Sequence, residues 1–198
     1  MYKKRLISIL SLLLVGSFLL CSCGTGSADK EPVDGDNDTK IVTDVLERKV
    51  EISTDLNAIG VTPIPYTSMV YAIDGSGEKL MAIHPSAKAA YGKSILKQMA
   101  PEIDSVSSDY IGQDFSVNIE EVLNLKPDLM ILWSRQEEEI HKLEDVGIPV
   151  VALTNGANSS IEDFHKNISI LGTVLGKEEK AEELISYHRN VMDYFKSN

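Results

Sequence analysis

Four short apolar runs recur along the chain, and each leads toward a stretch with helical spacing. They are "AIGVTP" (58–63), "KLMAIH" (79–84), "DLMILW" (128–133) and "IPVVAL" (148–153). Each is strand-length and rich in aliphatic side chains. The β-branched core of the last predicts burial on both faces. "TSMVYAID", "AAYGKSILKQMA", "EEEIHKLEDVG" and "SSIEDFHKNISILGTVLG" have helical character between or after them, and in the last of these Ile161, Phe164, Ile168 and Leu171 share one face. "SVSS" (105–108) reads as a weak additional strand, and "KIVTDVLERKVEI" (40–52) as a hairpin with alternating faces. Strands alternating with helices predict an α/β fold, a parallel sheet with helices on both faces.

The helix before "DLMILW" announces its own start. Asn118 suits the N-cap, Glu121 three residues on completes a capping box, and Glu120 with Glu121 favours the positive helix end. From spacing alone Glu120 needs no other role. The final stretch, "KEEKAEELISYHRNVMDYFKSN" (177–198), carries a helical apolar stripe of Leu184, Tyr187, Val191, Tyr194 and Phe195 with no closing glycine or proline. A helix whose stripe is still in progress is expected to continue beyond residue 198.

The beginning of the chain follows different rules. Lys3, Lys4 and Arg5 precede the 15-residue apolar run "LISILSLLLVGSFLL", too short for a comfortable membrane span of about 20 residues. This is an export signal. It ends at "LCSC", where Leu20 lies three before Cys23 and the small Ser22 just before it, like a bacterial lipobox. Residues 1–22 are thus expected as a lipoprotein signal peptide and Cys23 as an acylated, membrane-anchored N-terminus. With Cys21 removed and Cys23 acylated, no thiol remains for a disulfide, a metal or a nucleophile. Residues 23–40 are small, polar and acidic, a flexible tether. Their "DGDND" fails as a calcium loop because Thr39 stands where glycine is needed and Val45 where the final glutamate belongs.

Loss of residues 1–22 removes three of 19 basic residues and none of 30 acidic ones, so the net charge moves from −11 to −14. Such a surface repels nucleic acid and anionic lipid headgroups. Residues 41–176 form one α/β domain, and 177–198 a separate helix.

Candidate chemistry gathers where the strands end, the edge at which open α/β sheets bind ligands. Tyr66, Thr67 and Ser68 follow the first run. His84 ends the second. Tyr110 and Gly112, with Gln113, follow the weak strand. Trp133, the only tryptophan, ends "DLMILW" and precedes Arg135. Aromatic and hydroxyl groups on one edge suit a bulky, partly apolar ligand, although Trp133 alone could equally be a core residue at the rim. No G-x-S-x-G elbow, phosphate loop or H-E-x-x-H pair is present, and His141, His165 and His188 lie on helices without i, i+4 partners, so no metal site is expected.

Three stretches resemble the solute-binding proteins of iron-complex ABC importers, which carry ferric siderophores, haem or vitamin B12. "VTDVLERKVEI" (42–52) is similar to their T-D-x-x-G-R-x-V-x-I opening, with Glu47 in place of the glycine. "VNIEEVLNLKPDLMIL" (117–132) is similar to N-x-E-x-[IV]-x-x-L-x-P-D-L-[VI]-[IL], and "VGIPVVAL" (146–153) to the strand that follows. The resemblance implies two Rossmann-like lobes bridged by a long helix. This chain would supply the first lobe and the start of that helix, with the second lobe missing and ligand binding correspondingly weak. It implies that Glu120 docks on permease arginines, that Trp133 lines the ligand cleft, and that Tyr66 and Tyr110 lie near it. It also implies a non-enzymatic, lipid-anchored receptor on the outer face of the cell membrane or in the periplasm. Its partners would be a permease, its ATPase and an iron complex or corrinoid, with no intrinsic cofactor. Two other classes stay open: a small exported α/β hydrolase-like enzyme using a serine, His84 and an acid, and a ligand-free permease-docking module.

Overall fold

The computed structural model describes residues 38–155 and 159–197. The expected signal peptide, Cys23 and all but the end of the expected tether lie outside them. Strands β1 (Thr39–Thr43) and β2 (Lys49–Ser53) pair antiparallel, with Thr43 opposite Lys49 and Thr39 opposite Ser53. Thr39 and Lys40, read as the last of the tether, are therefore ladder residues.

Asp44 organises the hairpin turn. Its carboxylate is fully buried and accepts from the backbone N–H groups of Leu46 and Arg48, from the Arg48 guanidinium, and from Ala152 N–H at 3.1 Å. Val45 N–H returns to Ala152 O at 3.3 Å. Glu47 has φ +60°, the left-handed region that favours glycine. The turn thus keeps the conformation for which the resembling motif carries glycine, with a glutamate in its place.

The main sheet contains β3 (Ile59–Val61), β4 (Leu80–Ile83), β5 (Leu129–Trp133) and β6 (Val150–Leu153), all parallel, in the order β4-β3-β5-β6. Alternation sorts its side chains between two layers. Ile59, Val61, Leu129, Ile131, Trp133, Val151 and Leu153 pack with helices α1 (Tyr66–Asp74) and α6 (Ile161–Leu175). Met130, Leu132, Val150 and Ala152 pack with α4 (Ile119–Leu125) and α5 (Glu137–Asp145) on the opposite face. Both faces are apolar because both are covered, as the aliphatic runs implied. Asp44 and Val45 engage the backbone of β6, an outer strand, so the hairpin also satisfies a sheet edge.

Three local expectations are corrected. "SVSS" forms only a single bridge, Ser107 beside Ala82, rather than a strand. "AAYGKSILKQMA" is not one helix: α2 (Pro85–Tyr91) stops at Gly92, and α3 (Leu96–Met99) leads into a 3₁₀ turn, Pro101–Ser105. The last helix, α7 (Glu178–Ser197), buries Ala181 and Ile185, whereas Tyr187, Tyr194 and Phe195 of the expected stripe are exposed. The packed side of α7 is set by α6, which it crosses with its small Ala181 against Gly172.

Candidate functional site

Strand order locates the site. From β3 the chain passes through α1 to β4 on one side, then returns to β5 on the other side of β3. The direction of winding reverses between β3 and β5, so the connections leaving their carboxyl ends turn to opposite faces of the sheet and leave a crevice. Tyr66, at the first turn of α1, and Trp133, the last residue of β5, meet there. Their rings lie edge to face with centroids 5.6 Å apart. Gln136 braces the floor: its Oε1 accepts from Thr62 Oγ1 at 2.9 Å and Trp133 N–H at 3.0 Å, and its Nε2 donates to Phe115 O.

Over this floor opens a pocket of about 320 Å³, walled by Tyr66, Met69, Trp133, Thr154, Asn155 and Phe164 among others. Asn167 holds its far side. The Asn167 amide exchanges two hydrogen bonds with the backbone of Thr154 and donates from Nδ2 to the Tyr66 hydroxyl at 2.7 Å. Burial pushes the Tyr66 phenol pKa up, with Asp163 adding to the effect, while the Asn167 hydrogen bond opposes it. The N-terminus of α6 reaches the same pocket at Ser160, whose capping box with Asp163 uses both the hydroxyl and the carboxylate.

The remaining expected site residues are distributed differently. Thr67 and Ser68 face away from the crevice, into an apolar groove of about 600 Å³ between α1 and α2–α3. Ser68 Oγ donates to Pro65 O. His84 is 1 % exposed and serves as the N-cap of α2, its Nδ1 accepting from Ser86 N–H at 3.0 Å beneath the Phe115 ring. Burial lowers its pKa. Gly112 forms the 112–116 turn, where a Cβ would meet Asp114 Oδ1 at 2.5 Å. Arg135 stacks its guanidinium 5.3 Å from the Phe115 ring centroid, in a neighbouring concavity lined also by Gln113 and Glu137–Glu139.

Tyr110 is the clearest correction. It was expected beside Tyr66 and Trp133, yet it packs fully buried on the α4–α5 face and donates to Val61 O at 3.2 Å. Desolvation raises its pKa strongly. It is a core tyrosine whose hydroxyl caps the end of β3. Sequence reasoning also passed over Asn155, Thr154 and Asn167. Two signals were available: "TN" follows β6 at the same edge, and Asn167 is a polar residue within the apolar face of α6.

Glu120 is exposed in the first turn of α4, and Asn118 Oδ1 accepts from the N–H groups of Glu120 and Glu121. Because α4 runs antiparallel to β5, its N-terminus lies on the carboxyl-edge side of the sheet. Across α6 and α7, His165 Nε2 and His188 Nδ1 approach to 2.9 Å, a link between helices that the spacing of histidines within one helix did not reveal.

The comparisons agree with this architecture. The chain belongs to the periplasmic binding protein family, which it matches over residues 66–197. It is 27% identical over 191 residues to the ABC transporter substrate-binding lipoprotein YvrC of Bacillus subtilis, covering 92% of this chain and 55% of that protein. To the molybdate-binding protein MolA of Haemophilus influenzae it is 27% identical over 164 residues, covering 74% of this chain and 46% of MolA. The Fe(3+)-citrate-binding protein YfmC of B. subtilis is 23% identical, with coverage of 99% and 59%. The crystal structure of a periplasmic solute binding protein from Veillonella parvula superposes with TM-score 0.76 at 45% identity, over 80% of this chain and 47% of that one. The chain therefore spans about half the length of the curated relatives it matches.

Proposed function

We propose that this chain forms the first ligand-binding lobe of the substrate-binding component of an ABC importer. Its ligand would be an iron complex, ferric siderophore or haem, or a corrinoid. MolA and YfmC, by their names, extend the range to molybdate and ferric citrate. The observation that carries this reading is the meeting of Tyr66 and Trp133 over a pocket at the β3/β5 switch point, in a chain of the periplasmic binding protein family. The residues there bind and orient rather than react. The rival hydrolase-like reading needs a serine and His84 as nucleophile and base, but Ser68 spends its proton on Pro65 O and the His84 Nδ1 lone pair is engaged by Ser86 N–H.

In this reading the lobe is exported and held at the membrane by acylated Cys23, and exposed Glu120 docks it on the permease, which works with its ATPase. The lobe captures ligand and presents it without chemical change. A thermal-shift and Trp133-fluorescence screen with haemin, cyanocobalamin, ferric citrate and molybdate tests the capture step. Binding of none of them, even at high concentration, ends the proposal. For docking, Glu120→Arg in the assembled transporter should abolish uptake while ligand affinity stays at its wild-type value. A loss of affinity would instead move Glu120 into the pocket.

A further inference from the structure

The polar groups beside Trp133 have directions that the backbone fixes. Thr154 N–H donates to Asn167 Oδ1 at 2.9 Å, and Thr154 O accepts from Asn167 Nδ2 at 3.1 Å. An Asn167 amide turned over would set donor against donor and acceptor against acceptor, so only one orientation satisfies both contacts. The other Nδ2 proton points to the Tyr66 hydroxyl, 2.7 Å away. Tyr66 therefore accepts from Asn167, and its own proton is left to give. Among the described residues no acceptor takes it, although Tyr66 is only 4 % exposed and lines the pocket. Asp163, the nearby carboxylate, is engaged by Ser160 N–H and Oγ–H.

We propose that Tyr66 is an obligate hydrogen-bond donor to an anionic oxygen of the captured ligand and does not coordinate metal as a phenolate. The group it selects is a carboxylate, catecholate or oxo oxygen. The inference rests on the ligand-capture reading above and specifies its chemistry. Two features agree with it. Burial holds the phenol in its protonated form, and the positive end of the 15-residue helix α6 opens on the same pocket.

The test uses Tyr66→Phe, which keeps the ring against Trp133 and deletes only the O–H. Sodium molybdate supplies a bare oxo anion and ferric citrate a carboxylate chelate. Binding to the chain is followed by Trp133 fluorescence and by NMR at concentrations suited to weak complexes. The probe that binds the wild type should bind Tyr66→Phe about 10- to 100-fold more weakly, the loss of one charge-assisted hydrogen bond. The ferric citrate complex should show no phenolate-to-iron absorption in the visible. In the ligand-free protein, the tyrosine titration difference between wild type and Tyr66→Phe should place this phenol above its ordinary value of 10.0. Equal affinity in Tyr66→Phe, a phenolate–iron band, or ionisation of this phenol below neutral pH overturns the donor role and leaves ligand capture standing. Binding of neither probe overturns the donor role, and ligand capture falls with it only if haemin and cyanocobalamin also fail to bind.

Discussion

Arg48 faces two acids, and physical chemistry assigns them opposite values. One is Asp44, whose side chain is fully buried. The other is Glu144, 2.6 Å from Arg48 Nη1, with its side chain 39% exposed. Replacing Asp44 by alanine removes the acceptor for Leu46 N–H, Arg48 N–H, the guanidinium and the buried Ala152 N–H. Turn N–H groups can be recovered by water. The Ala152 donor cannot, and one such orphan costs about 1–3 kcal/mol. The inner edge of Arg48 then has only Val150 O, at 3.0 Å. Together these losses give about 3–5 kcal/mol, the range for breaking a buried pair from one side. That is a large share of the roughly 5–15 kcal/mol that holds a domain together. Glu144→Ala severs an equally short contact with the same arginine, yet should cost about 1 kcal/mol or less, because water and salt already screen that side. Urea unfolding followed by Trp133 fluorescence gives both values, provided the slopes match. If Asp44→Ala and Glu144→Ala destabilise equally, burial is not what gives the hairpin clasp its strength, and the reasoning fails.

Further expectations concern backbone, packing and protonation. Glu47→Gly should raise stability by about 1 kcal/mol by relieving the left-handed conformation, a gain larger than the exposed Lys166 pairing it gives up; a lower urea midpoint would refute it. Gly60→Ala would place a Cβ 2.2 Å from Met130 Sδ and should cost about 1–3 kcal/mol, with Met130→Ala in the same chain recovering part of the loss. Additive costs in the double variant would show that the two residues do not compete for space. The His165 pKa is held below its ordinary 6.5, first by desolvation and then by Arg189 and His188, with Glu162 and Glu182 opposing. A histidine harder to protonate when folded leaves stability intact above about pH 6.5 and erodes it as pH falls. The wild-type unfolding midpoint should therefore drop between about pH 7.5 and 5 more than that of His165→Gln; equal drops would exclude the His165–His188 contact as a cause.

Much of this protein is written locally. Aliphatic runs specify β3 to β6, since a run of strand length, apolar on both sides and set between helical stretches, fits a strand covered twice. Asn118 and Ser160 specify helix starts through side-chain oxygens that meet backbone N–H groups two or three residues on. The edge that carries the candidate pocket is legible too, because parallel strands joined by helices put all their carboxyl ends together, and the placing of Tyr66 and Trp133 there follows from that rule. The order β4-β3-β5-β6 is another matter. It depends on contacts between segments far apart in the chain, and no period of 2 or 3.6 encodes it. That order brings Tyr66 to Trp133, sends Tyr110 to the opposite face, and gives Asn167 a backbone partner 13 residues away that turns its amide toward the phenol. It also buries Asp44 against β6, converting a turn residue into a clasp. Sequence determines which residues stand at the edge; only three-dimensional packing determines which of them share a pocket, because burial and hydrogen-bond direction are properties of neighbours that the chain brings together from a distance.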